Sequence, residues 1–139
     1  MFIYSILPNT VNNARNSYIL VVEDDEVIAL LVEHLLTREG YQVILAKDGY
    51  EALQRIESNI AVDLVLLDVM LPYVDGTHLL ERIRGINEWG NIPIIMLTAK
   101  SSEKDIASAL NLGADDYISK PFKPLELIAR IKHRLKQRK

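Results

Sequence analysis

Apolar positions along this chain alternate between two periods. The stretches Tyr18–Val22, Gln42–Ala46, Leu64–Asp68, Ile94–Thr98 and Asp116–Ser119 are short and rich in β-formers, the signature of strands. Between them, apolar residues recur at helical spacing. Val27, Ile28, Leu31, Leu35 and Leu36 mark a first helix that Gly40 stops, and Ala52, Leu53 and Ile56 mark a second over residues 49–59. After the loop that Leu71-Pro72 forces, Leu79, Leu80 and Ile83 mark a third over 76–84. Ile106 and Leu110 give a weak stripe over 102–112, closed by Gly113, and Ile128, Ile131 and Leu135 give a last helix over 124–138. Leu64–Leu67 is wholly aliphatic, as a central parallel strand covered on both faces must be. Five βα units joined by right-handed crossovers predict an α/β doubly wound sandwich around one parallel sheet. Periodicity leaves the strand order open. Residues 1–17 are Asn-rich and aperiodic, and are expected to form a flexible extension to a domain spanning 18–139.

The strand ends carry the chemistry. In a parallel sheet all C-terminal strand ends share one edge, where ligands bind in open α/β folds. Here they deliver Glu23-Asp24-Asp25, Asp68, Thr98 and Lys120. Asp68, closing a buried strand, is the candidate nucleophile, since a carboxylate can attack phosphorus to form an acyl phosphate. Asp24 and Asp25 sit beside its expected place, and three packed carboxylates resist ionisation unless a cation neutralises them. Magnesium suits such a cluster, because it takes oxygen ligands and phosphate together. Asp25 also fits the N-cap of the first helix. Thr98 offers a hydroxyl to a phosphoryl oxygen, and Lys120 a point positive charge. A cis bond before Pro121 would turn that lysine inward.

Composition narrows the field without changing this picture. One domain of 139 residues with 49% apolar and 25% charged content is an ordinary globular chain. The absence of cysteine excludes thiolate catalysis and cysteine zinc sites, and His34, His78 and His133 have no metal-ligand spacing. Apolar runs are too short to span a bilayer and residues 1–7 lack a basic leader, so a cytoplasmic location is expected. Net charge is −3, yet half of the 16 Lys and Arg fall within residues 120–139. Because that segment keeps an apolar stripe, its cations read as a solvated helix end rather than a nucleic-acid surface.

The order Asp-Asp, Asp, Thr, Lys-Pro resembles the response-regulator receiver domain of two-component signalling. VVEDD, LVLLDVMLPYVDG, IPIIMLTAK and GADDYISKPF carry the resemblance, which runs from about Tyr18 to Arg138. It implies a flavodoxin-like strand order 2-1-3-4-5 and phosphoryl transfer onto Asp68 from a sensor histidine kinase or histidine phosphotransfer protein. By the same match Asp24, Asp25 and Asp68 bind magnesium, assisted by the backbone carbonyl of Met70. Thr98 and Tyr117 take the switch positions, and Lys120 the phosphate-contacting one. GADDY and PFKPLELIARIKHRL are similar to the winged-helix transcription-regulator branch, in which the fourth helix, fifth strand and fifth helix form a dimer face.

For that face, Asp115 and Asp116 are expected to meet Arg130 and Lys132 of a second copy across a two-fold axis. Ile106 stands where the branch commonly has a base that pairs with the acid matched by Glu126, so a weaker or more hydrophobic dimer is expected. Nucleic acid would be reached only through an output domain beyond this sequence. A stand-alone relay and a magnesium-dependent phosphatase or phosphotransferase are the alternatives. The phosphatase reading wants a general acid two residues after the nucleophile, and Met70 cannot transfer protons. A flavodoxin-type carrier would need a phosphate loop after the first strand, where this chain has acids.

Overall fold

The computed structural model describes residues 17–58, 60–86, 89–99 and 102–137. Strand β1 (Tyr18–Val22) leads into helix α1 (Glu26–Arg38). The alternation continues through β2 (Gln42–Ala46), α2 (Gly49–Glu57), β3 (Leu64–Leu67), α3 (Gly76–Arg84), β4 (Ile94–Thr98), α4 (Glu103–Asn111), β5 (Asp116–Ser119) and α5 (Pro124–Gln137). All five strands run parallel in the order β2-β1-β3-β4-β5. The expected helices are present with trimmed ends. Ser102 and Leu112, expected inside the fourth helix, instead cap α4 at its two ends.

Side-chain alternation along the strands splits the core into two layers. Leu20 and Val22 of β1, Val65 and Leu67 of β3, and Ile94 and Met96 of β4 face α2, α3 and α4, meeting Ala52, Ile56, Leu79, Leu80, Ile83 and Ala109. The alternate residues, Ile19, Val21, Leu64, Leu66, Ile95 and Leu97, face α1 and α5 through Val32, Leu36, Leu127 and Ile131. Every residue of β3 is buried because helices cover both of its faces. Truncating such a residue to Ala costs about 2–5 kcal/mol.

Helix ends are closed by local chemistry. Asp25, Asp48, Asp75 and Ser102 cap α1 to α4 by accepting N–H bonds from the first turn. Gly40 and Gly113, at φ of 92° and 115°, let α1 and α4 end with the next residue's N–H bonded to the third-last carbonyl of the helix. Arg84 then ties the far end of the sheet together. Its guanidinium donates to the carbonyls of Gly113, Gly90 and Ile92 and to Asp115 at 2.7 Å, while Asp115 also accepts from Ile94 N–H.

Candidate functional site

Register builds the site. Val22 pairs with Leu67, so Glu23 and Asp68 emerge side by side where β1 and β3 end. Thr98 is the last residue of β4, paired with Ser119, and Lys120 follows directly, its N–H bonded to the Thr98 carbonyl. The Lys120-Pro121 bond is cis. Lys120 Nζ lies 2.7 Å from Glu23 Oε1 and 2.9 Å from Asp68 Oδ2. Asp68 Oδ1 accepts the Met70 N–H at 3.0 Å. A carboxylate has about four lone-pair sites, so each Asp68 oxygen keeps capacity for another partner.

The acid cluster differs from expectation in one member. Carboxylate oxygens of Glu23, Asp24 and Asp68 lie within 4.8 Å of one another. Asp25, expected as a metal ligand, turns away to the helix, and its Oδ1 accepts from Val27 N–H at 2.9 Å and Ile28 N–H at 3.2 Å. The expected capping role is present, and Asp25 is not among the three clustered acids. Glu23 takes the vacated place, with its own Oε2 accepting the Asp25 N–H at 3.1 Å. A sequence signal for Glu23 existed: it is the first residue after the apolar run, in the same position as Asp68 after its own. Asp25 stands directly before Glu26 and the apolar helical periodicity, where a cap belongs.

Electrostatics follow from burial. Glu23, Asp68 and Thr98 are buried, whereas Asp24 is exposed toward solvent. Burial raises the Glu23 pKa above the ordinary carboxylate value, against the opposing pull of Lys120 and the Asp25 N–H. For Lys120 burial acts downward, but hydrogen bonds to Glu23 and Asp68 outweigh it and the pKa is raised. The lysine is therefore a fixed cation held between two acids. Tyr117 has a buried hydroxyl with no hydrogen-bond partner among the described residues. Its pKa is raised by burial first and by the charges of Asp105 and Asp68 next.

The cluster fits a hard divalent cation. It offers carboxylate oxygens alone, with one exposed member through which ion and phosphate can reach the buried ones. Exposed apolar side chains ring the same edge: Val27, Leu30 and Leu31 on α1, Leu125 at the start of α5, and Tyr50, Met70 and Tyr73 beside the loop after β3.

On the expected dimer face, the charges are already paired within one chain. The Asp115 carboxylate binds Arg84 at 2.7 Å, and its backbone carbonyl accepts from Arg134 of α5 at 2.6 Å. Asp116 takes Arg130 at 3.0 Å, and Arg130 also holds Glu126 at 3.1 Å, which raises the Arg130 pKa. Lys132 pairs with Glu39 at 2.8 Å, bridging to the end of α1. Helix spacing brings Arg130 to Glu126, and the fold brings the other partners together within one chain. Ile106 is half-buried on α4.

Comparisons with known proteins agree with this geometry. Residues 19–132 match the response regulator receiver domain. The chain is 49% identical over 117 residues to the alkaline phosphatase synthesis transcriptional regulatory protein PhoP of Bacillus subtilis, covering 84% of this chain and 48% of that protein. It is 47% identical over 119 residues to the regulatory protein VanRc of Enterococcus gallinarum, covering 86% and 50% respectively. The chain thus spans about half the length of the curated relatives it matches. Among solved structures, a Francisella response regulator receiver domain superposes with a TM-score of 0.82 at 36% identity, covering 89% of this chain and all of that one. The receiver domain of a Pseudomonas aeruginosa sensor histidine kinase, solved with magnesium in its active-site cleft, gives 0.81 at 34% identity over 88% of this chain and 99% of its own. With the strand order, the acid cluster and the bridging lysine in place, the chain belongs to the response regulator receiver domain family.

Proposed function

We propose that Asp68 accepts a phosphoryl group from a phosphohistidine of a sensor kinase or phosphotransfer protein, and that the modification switches the surface formed by α4, β5 and α5. The observation that carries this reading is Lys120 held between Glu23 and Asp68 at the edge of the sheet. An Asp68 carboxylate oxygen forms the new O–P bond as the P–N bond to imidazole breaks, and the departing nitrogen keeps the electron pair. Lys120 neutralises charge on the transferring phosphoryl oxygens, and the Met70 N–H orients the attacking carboxylate. Asp24 and Asp68, with the Met70 carbonyl and support from Glu23, would hold magnesium, which would supply positive charge against the phosphoryl oxygens. The chain turns over no separate substrate; it phosphorylates itself and slowly loses the group to water.

Thr98, buried at the end of β4, is placed to bond a phosphoryl oxygen, and Tyr117 follows the change from β5. The orphaned Tyr117 hydroxyl supports a movable ring, because a permanent side chain in that place would find a partner. Val27 and Leu31 on α1 with Leu125 on α5 are exposed at the site edge and suit docking of the donor's helix. The receiver unit is taken as residues 18–139, with output delivered to a further domain or partner.

Acetyl phosphate with magnesium should add one phosphoryl group, read by intact mass, and Asp68→Asn should add none at the wild-type rate. An acid-stable, stoichiometric phosphate on Asp68→Asn would overturn the assignment.

A further inference from the structure

The loop between β3 and α3 carries the Met70 contact to Asp68, yet it contains a backbone position unsuited to its residue. Tyr73 sits at φ 70°, in the left-handed region that favours glycine. Its ring is exposed, and it lies against another exposed ring, Tyr50 of α2, with ring centroids 5.4 Å apart and planes tilted by 31°. The same two segments also meet through backbone. A Cβ on Gly49 would collide with Val74, and one on Gly76 would collide with the Asp68 carbonyl, so the loop lies flat on both neighbours. Its neck is closed by Gly76 N–H bonded to the Val69 carbonyl at 2.8 Å.

We propose that Tyr50 and Tyr73 form an aromatic clasp that positions the loop from Met70 to Asp75 over Asp68, and so sets how tightly the site holds magnesium. The inference rests on the function proposed above. Two large rings lying in water against each other contribute little to the core. Their contact joins α2 to the tip of a loop whose base, at Met70, bonds the Asp68 carboxylate. Without the ring contact, the left-handed Tyr73 would relax toward ordinary backbone, and the loop would move with it. Tyr50 and Tyr73 are positioning residues, since neither touches Asp68 among the contacts described.

The test uses the whole chain and two readouts. Calorimetric titration with magnesium alone should give a dissociation constant about two- to tenfold weaker for Tyr50→Ala and Tyr73→Ala, the range spanned by one aromatic pair. Tyr73→Gly, unstrained at φ 70°, should lose less than Tyr73→Ala. Tyr50→Phe and Tyr73→Phe should bind as wild type does, because the ring rather than the hydroxyl makes the contact. The double alanine variant should be no weaker than either single one. In metal-free protein, amides of residues 70–75 should exchange faster in the alanine variants while the core strands stay protected. Wild-type affinity and exchange in both Tyr50→Ala and Tyr73→Ala would overturn the clasp. Wild-type protein that binds no magnesium would instead remove the proposed function, whereas the exchange experiment reads the clasp without metal.

Discussion

Replacing Asp24 and Asp25 one at a time separates a metal ligand from a helix cap. Asp25 accepts two N–H bonds at the start of α1. Asp25→Ala leaves both donors to water and removes a favourable charge from the helix N-terminus, costing about 1–2 kcal/mol in all. For a domain of this size that lowers the melting temperature by about 4–8 °C. Asp24 has the opposite character. Its carboxylate lies within 4.8 Å of those of Glu23 and Asp68. Two unit charges at that separation repel by roughly 0.9 kcal/mol in water and roughly 3.5 at an effective dielectric of about 20. Asp24 is exposed and Lys120 already offsets part of the charge, so Asp24→Asn should raise metal-free stability by only about 1 kcal/mol. Excess magnesium at about 100 times its dissociation constant should stabilise wild type by about 2.7 kcal/mol. Thermal melts in EDTA and in magnesium should show that increment kept in Asp25→Ala and lost in Asp24→Asn. The reverse pattern, with the response lost in Asp25→Ala, would refute the assignment of Asp25 to the cap alone.

Three further outcomes are expected. Met70 is exposed two residues after Asp68 and cannot orient water, so Met70→Asn should speed loss of the phosphoryl group; equal or slower decay by intact mass would count against this. The Lys120 pKa is raised above 10.5, so its stabilising contribution is complete below that value and is lost as pH rises through the folded one. Lys120→Arg keeps its charge there, so its melting temperature should fall less steeply than wild type in strongly alkaline buffer, and parallel curves would exclude the effect. Because Asp115, Asp116, Arg130 and Lys132 are paired within the chain, dimerisation induced by beryllofluoride should be weak and depend little on salt. A tight dimer in light scattering that dissolves with added salt would show that these pairs exchange partners between copies.

The alternation of strands and helices was legible from the sequence because burial in an α/β sandwich imposes its period residue by residue. Leu64–Leu67 could be assigned to the centre of the sheet with no partner known, since only a doubly covered strand is aliphatic throughout. The convergence of Asp68, Thr98 and Lys120 followed from the same argument, as parallel strands place their ends together. Which acid joins them was not local. Glu23 and Asp25 are both carboxylates at the end of β1; the register of β1 on β3 aims one at Asp68, while the first-turn N–H groups of α1 claim the other. Asp115 read as a dimer-face acid for a second copy, whereas the fold brings Arg84 against it from a distance of 31 positions. Tyr50 and Tyr73 carried no sequence signal at all, because an exposed aromatic acquires meaning only from what lies against it. Periodicity is a property of each segment, whereas a side chain's partner is decided by every group competing for it in the folded chain.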